Sequence, residues 1–433
     1  MNPEPMNPEP IKSDLCIIGA GIAGMSAAVF AANRGFSAVQ VGGTGEIIFA
    51  SGLLDLLGVH PVNQHHLWAD PWTGIEAVVR DIPRHPYARL KKEDIETAFE
   101  ELLSFLKNAG LFYNRHINRN VRIMTSLGTE KLTYCVPQTM WNGVKALEEK
   151  PPCLIIDIRG LKGFSAGQIA AALKDKWPGL RTARISFPGT DHLSEVFAEH
   201  MASGLILPEN REKLAQVVRP HAKDDIRTIG LPAVLGLYRT KEVVSDLEKM
   251  FGVPVFEIPT MPPSVPGLRL KEAFERQLRT AGMQYLSQKR VLDVHPKTNG
   301  NFEISVGRET RQHAVQSRGI ILASGRFIGG GLHANRTHIR ETIFDLPVHQ
   351  PEDRTLWHHR DFLDPRGHPI NRAGLEIDDD FRPLDSSGRP VYQTLFAAGS
   401  ILAHQDWIRM KCGAGLAIAT AFGAVNAFSR LGQ

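Results

Sequence analysis

The 433-residue sequence lacks the marks of several protein classes. Its four cysteines, Cys16, Cys135, Cys153 and Cys412, stand far apart without a C-x-x-C pair, so spacing offers neither a zinc ribbon nor an iron–sulfur ligand set. Any electron chemistry must use a borrowed cofactor, and thiols this sparse fit a reduced, cytoplasmic protein rather than a disulfide scaffold. Charge of one sign is also missing: 50 basic against 46 acidic side chains leave +4, too little to coat nucleic acid, and no such partner is expected. No run reaches the ~20 apolar residues of a membrane span. The nearest, Cys412 to Phe428, is broken by Gly413, Gly415, Gly423 and Asn426, so no transmembrane segment is expected. The opening repeats Met-Asn-Pro-Glu-Pro without the cationic and apolar regions of an export signal, and residues 1–10 read as a disordered tail. His60, His65 and His66, and the pair His358-His359, lack the clustered spacing of a metal site, and no metal is expected.

What is present is an ordinary globular balance, 42% hydrophobic and 22% charged. The apolar run Asp14 to Ile18 leads into Gly19-Ala20-Gly21-Ile22-Ala23-Gly24 and an alanine-rich stretch that Gly35 stops, followed by a second strand over Ser37 to Val41. This is strand, glycine turn, helix, strand, the opening of a dinucleotide-type fold. Gly19 permits the tight turn, Gly21 lets backbone approach a phosphate, and Gly24 lets the helix lie close to the strand. The backbone of Gly19, Gly21, Ile22, Ala23 and Gly24 is therefore the candidate phosphate cradle, because a helix N-terminus attracts an anion without a basic side chain.

The second strand lacks the acid that holds an adenosine ribose. Gly42 stands there, and the nearest acid is Glu46. That absence favours FMN, with FAD as the alternative. No second G-x-G-x-x-G appears, so a separate NAD domain is not expected. Ser51-Gly52 follows at the distance of a loop facing an isoalloxazine ring, or of an ordinary helix entry with Ser51 as N-cap. Two late apolar strands run into small residues, Ile320 to Ser324-Gly325 and Leu395 to Gly399-Ser400, and Gly413-Ala414-Gly415 opens an alanine-rich helix. Ser324, Gly325, Gly399, Ser400, Gly413 and Gly415 complete the candidate flavin contacts.

The fold class is α/β: a discontinuous, Rossmann-like FAD/NAD(P)-binding flavoprotein domain over 11–60 plus 285–433, with an α/β domain inserted at 61–284. Ile95, Phe99, Leu102 and Leu106 predict an amphipathic helix that Gly110 ends. Alternation between Pro151 and Pro259 predicts strands at 154–158 and 182–187, and helices at 166–174, near 193–201 and at 241–251.

Ser51 to Leu57, His85-Pro86-Tyr87, the stretch Pro259 to Arg269 and the run Ala323 to Leu332 resemble the B subunits of anaerobic glycerol-3-phosphate dehydrogenases across almost the whole chain. The resemblance implies a non-covalent FMN and two partners: an FAD-bearing A subunit, together with an iron–sulfur C subunit that docks the assembly at the inner membrane from the cytoplasm. It implies oxidation of sn-glycerol 3-phosphate to dihydroxyacetone phosphate, with electrons passed to a quinone. Such a reaction wants cations for the phosphate and a base for the hydroxyl. Arg326, Arg336 and Arg340, clustered with His333 and His338, are the candidate cations, and His404 the base. The same run reads more readily as a solvated basic face or a docking surface for an acidic partner. Arg269 either contacts the flavin phosphate or substrate, or merely packs and pairs. The alternative functions are a flavin-stabilised scaffold or electron relay without a substrate site, and an independent flavin dehydrogenase of another small substrate.

Overall fold

The computed structural model describes residues 9–43 and 47–431, so Glu46 and the first eight residues lie outside it. In chain order, β1 (Ile11–Ile18), α1 (Ile22–Asn33) and β2 (Ala38–Gly42) come first. There follow β3 (Cys153–Ile158), α2 (Ala166–Leu173), β4 (Leu180–Ile185), β5 (Thr228–Pro232) and β6 (Val255–Ile258). Then come β7 (Gln284–Ser287), β8 (Arg290–Pro296), β9 (Phe302–Gly307), β10 (Arg311–Leu322), β11 (Leu332–Ala334), β12 (Ile339–Glu341), β13 (Leu395–Ala397) and the closing helix α3 (Gly413–Arg430). Two compact units divide them. The described residues of Met1–Glu46, Asp55–Phe105 and Phe274–Gln433 make the first, and Ile47–Leu54 with Leu106–Ala273 make the second.

In the first unit the sheet order is β7-β2-β1-β10-β9-β8, with β13 also pairing β10. The twelve-residue β10 serves two sets of partners. Its N-terminal half pairs antiparallel with β9, and its last three residues pair parallel with β13. Ile18, Leu322 and Ala397 share one level across the parallel strands, so three chain segments leave the sheet together at its carboxyl edge. α1 is buried over Ala23–Ala31, nearly all round, which explains its alanines: it packs against the sheet and against α3, where Phe30 meets Phe422 edge-on at 5.3 Å.

The second unit holds a four-stranded parallel sheet of order β6-β5-β3-β4. The predicted strands and helices of this region form as Cys153–Ile158, Ala166–Leu173, Leu180–Ile185 and Thr240–Phe251, and the helix expected near 193–201 starts later, as Ala198–Gly204. The amphipathic helix runs Lys92–Asn108 with its four apolar residues buried.

Unit boundaries differ from the expected 61–284 insertion. Residues 61–105 and 274–284 fall in the first unit. There Gly415 N donates to Asp55 O at 2.6 Å, Tyr87 Oη to Leu56 O at 2.7 Å, and Phe105 stacks on Phe274 at 5.4 Å. Conversely, 47–54 falls in the second, where Leu54 and Cys135 exchange backbone hydrogen bonds at 3.0 Å. All four cysteines are buried free thiols. Among the described residues no helix is long and apolar enough to cross a membrane.

Candidate functional site

The carboxyl edge of the first sheet is where a doubly wound fold binds its ligand. Gly19 N donates to Val41 O at 2.8 Å, Ala323 N to Ile18 O at 2.8 Å and Ala398 N to Leu322 O at 2.9 Å, so the ladder persists to the last residue before each turn. Close packing then demands glycine. At Gly19, where φ is +132°, a Cβ would lie 2.1 Å from Ala323 O; at Gly24 it would lie 2.1 Å from Gly19 O. Gly399, at φ +80°, sits against the first turn of α1, its added Cβ 2.6 Å from that of Ala23. The structure thus brings Gly19, Gly21, Ile22, Ala23, Gly24, Ser324, Gly325, Gly399 and Ser400 to one edge.

The edge fits a phosphate. α1 has Gly21 at its N-cap, no side-chain cap and no acid in its first turn, so its first N–H groups have no acceptor from their own helix. The Ser324 Oγ is buried without a hydrogen-bond partner, and a Cβ on Gly331 would come within 2.6 Å of it. A ligand's oxygen would satisfy both.

At Gly42 an added Cβ would lie 2.9 Å from Ala20 N and 3.1 Å from Ala20 Cβ. The absent acid therefore has a packing cause, which weakens its value as a sign of FMN. Glu46 lies outside the described residues. Sequence reasoning also passed over Gln40, buried on β2, whose Nε2 donates to Gly19 O at 2.9 Å and pins the glycine turn.

The remaining expected contacts divide. α3, like α1, lacks a side-chain cap and first-turn acids. Gly415 is a packing glycine, since a Cβ there would lie 2.7 Å from Leu56 Cα and 2.8 Å from Tyr87 Oη; at Gly413 it would meet the Trp407 ring at 2.7 Å. Ser51 and Gly52 belong to the second unit, and Ser51 caps no helix. There Ser264 Oγ donates to Ala50 O at 2.5 Å, Tyr113 Oη donates to Gly52 O at 2.9 Å, and Gly52, at φ +80°, has room only for hydrogen beside Pro266. The proline-rich stretch therefore fixes the Ser51-Gly52 loop. Arg269 pairs rather than binds: it is buried, grips Glu257 with two hydrogen bonds of 2.7 and 2.8 Å, and donates to Gly236 O. The neighbouring Arg269 guanidinium holds the buried Glu257 carboxyl below its usual range although burial opposes this.

Of the four catalytic candidates, Arg326 is committed to the backbone. Its guanidinium donates to the Asn371, Leu402 and Gln405 carbonyls, and only Nε makes no hydrogen bond. Burial pulls its pKa down to about 10. This corrects its expected role as a phosphate clamp: it ties together the loops around 371 and 402–405. Arg336 and Arg340 stand exposed on the β11–β12 hairpin, a two-stranded sheet of its own.

His404 is better placed. Its Nε2 lies 2.8 Å from Glu376 Oε1, its ring 4.2 Å from that of His349, and Arg84 Nη1 lies 2.9 Å from the same Glu376 oxygen. Burial pulls His404 below the ordinary histidine value, outweighing the hydrogen bond to Glu376 that raises it. His404 and Arg84 hold Glu376 low against burial, so a neutral imidazole faces an ionised carboxylate. His85 is fully buried, which lowers its pKa to about 3, and its Nδ1 accepts from Tyr87 N at 3.2 Å. Glu376, His349 and Arg84 were illegible in the sequence, being separated by up to 292 positions and belonging to no motif.

These features define a flavin-binding oxidoreductase, and residues 14–416 match the model of the FAD binding domain family, to which the chain belongs. The family match supports a flavin of the FAD type and gives FMN no support. Curated relatives are named as the B subunit of anaerobic glycerol-3-phosphate dehydrogenase. The Yersinia pestis protein is 28% identical over 424 residues, covering 95% of this chain and 96% of its own. The Pectobacterium atrosepticum protein is 29% identical over 418 residues, covering 95% and 97%. A probable B subunit of the same enzyme from Halobacterium salinarum is 27% identical over 430 residues, covering 96% and 98%. The resemblance read from the motifs is thereby borne out. Among solved structures, the 3-ketosteroid delta1-dehydrogenase of Sterolibacterium denitrificans aligns with a TM-score of 0.44 at 13% identity, covering 97% of this chain and all of its own, a likeness too slight to add to the family assignment.

Proposed function

We propose that this chain is the flavoprotein B subunit of an anaerobic glycerol-3-phosphate dehydrogenase, oxidising sn-glycerol 3-phosphate to dihydroxyacetone phosphate. Electrons pass to a quinone through an iron–sulfur C subunit, with an FAD-bearing A subunit in the same complex. The observation that carries the reading is the uncapped N-terminus of α1 beside the partnerless Ser324 Oγ, within a chain that aligns end to end with relatives of that name. The backbone of Gly19 to Gly24 would hold the flavin's phosphate, and Ser324, Gly325, Gly399 and Ser400 would line its approach. When bound, the flavin supplies a two-electron acceptor for the hydride of the carbinol carbon. His404 takes the hydroxyl proton on its neutral imidazole. Glu376 fixes the ring and stabilises the charge it acquires. Arg326 keeps the His404 loop in place through its three carbonyl contacts.

Partner subunits fit the exposed apolar side chains of the first unit. Ile328, Phe362 and Leu363 are 94%, 86% and 84% exposed, more than an isolated chain gains from leaving in water. Docking through partners would place the chain at the cytoplasmic face of the membrane. The second reading, FMN in place of FAD, keeps one observation in its favour: Gly42 offers no carboxylate to an adenosine ribose.

The test is anaerobic addition of sn-glycerol 3-phosphate to the assembled complex. Bleaching of the flavin on this chain is expected, slowed by about 10²- to 10⁴-fold in His404→Ala, the usual share of a general base. A flavin here that never changes redox state during turnover would establish the scaffold instead.

A further inference from the structure

We propose that His349, Glu376 and His404 form a binding site for a divalent transition-metal ion of the zinc type, and that occupation of this site inhibits the enzyme. One donor atom from each residue lies within 4.8 Å of the other two. Glu376 Oε1 is 2.8 Å from His404 Nε2 and 3.7 Å from His349 Nδ1. A zinc ion about 2.1 Å from each donor needs donors separated by about 3–3.5 Å. Two of the three spacings bracket that range and the third is at most 4.8 Å, so side-chain movements of about an ångström close the site. Two imidazoles and a carboxylate are the donor set of zinc and its neighbours in the first transition row, and three protein ligands leave coordination positions open.

The backbone holds the three residues on adjacent segments. His349 and Gly374 exchange both backbone hydrogen bonds, at 2.8 and 3.1 Å. Leu375 N donates to Ile401 O and Ala403 N to Leu375 O, each at 2.9 Å, and His404 N donates to Arg372 O at 3.0 Å. Glu376 and His404 thus follow directly from a paired stretch, and His349 sits within one. Such support preorganises a ligand set before any ion arrives. His349 is 43% exposed, which gives an ion a way in.

Arg84 competes. Its Nη1 occupies the Glu376 Oε1 position at 2.9 Å, but the side chain is 68% exposed and can leave for solvent. This makes an unusual prediction, that removing a cation tightens cation binding. The inhibitory consequence, though not the site, rests on the reading of His404 as the proton acceptor: Nε2 donates to Glu376, which leaves Nδ1 to take the proton, and an ion on Nε2 removes the Glu376 contact and lowers the basicity of Nδ1.

Isothermal titration of the flavin-loaded protein with zinc chloride tests the site without any substrate. One ion per chain is expected. His349→Ala should weaken binding by at least about tenfold, as loss of a ligand exceeds the 10- to 100-fold cost of losing an outer-shell partner at its lower end. Arg84→Gln should strengthen it by severalfold. Absence of binding, or binding indifferent to His349→Ala, overturns the proposal; so does weaker binding in Arg84→Gln. A separate arm measures glycerol 3-phosphate oxidation with and without zinc. Zinc bound at this site with undiminished turnover overturns the inhibitory part and counts against His404 as base, whereas loss of the site leaves the functional reading intact.

Discussion

Two strand-to-helix turns, one in each unit, begin from the same problem and end differently. Every helix leaves its first N–H groups without internal acceptors. In the second unit α2 solves this with its own sequence: Ser165 Oγ accepts from Gln168 N at 3.2 Å, and the Asp157 carboxylate accepts from Ala166 N at 3.1 Å. In the first unit α1 has glycine at the cap and no acid in its first turn. One buried polar group from each unit shows the same contrast. Glu257 in the second unit is closed off by Arg269, whereas Ser324 at the first sheet's edge is left with an unanswered hydroxyl. A parallel sheet edge is therefore not a ligand site by topology alone. The uncapped glycine N-terminus of α1 marks which edge expects an acceptor from outside.

The sharpest way to break that contrast is Gly21→Asp. Aspartate is a good N-cap, so the helix should gain stability while the phosphate position acquires a negative charge. Flavin occupancy should fall to near zero with the circular dichroism unchanged; full occupancy would show that α1 holds no phosphate. Next in size, Arg269→Met leaves the Glu257 carboxylate buried without its partner and should cost about 3–5 kcal/mol, read from denaturant unfolding of the second unit. Flavin content of the folded fraction should not change.

Ser324→Ala separates a ligand contact from an idle hydroxyl. Removing a buried hydroxyl that bonds nothing costs no stability, but one that answers a ligand's oxygen is worth about 1 kcal/mol, so flavin affinity should drop by about fivefold with unchanged folding. Ser165→Ala, the counterpart cap in the second unit, should cost about 1 kcal/mol of stability and leave flavin affinity alone. A reversal of these last two readouts would mean that the two edges have been assigned the wrong way round.

Much of this was legible in the sequence because glycines report backbone demands directly. Gly19, Gly24 and Gly399 sit where a single Cβ would collide with Ala323 O, Gly19 O and Ala23. Apolar runs flanked by turns likewise placed β1, β2, β3, β4, β13 and the end of β10, while β5, β6 and β7 went unread. What stayed hidden was carried by side chains acting across long sequence distances. Arg326 looked free in a basic run, yet folding delivers it to the carbonyls of residues 371, 402 and 405. Glu376 and Arg84 gave no sign of meeting His404, and Gly42 looked like a statement about the coenzyme when its neighbour Ala20 leaves no room for a side chain. Unit boundaries were obscured for the same reason, since the backbone carbonyls of Asp55 and Leu56 are claimed by residues far along the chain.

The most direct test is to purify the chain, release whatever it carries and determine the mass and molar amount of that compound. About one flavin per chain is predicted, FAD by the main reading and FMN by the second. A folded preparation that carries no flavin and takes up neither coenzyme would contradict the assignment of the first sheet's edge.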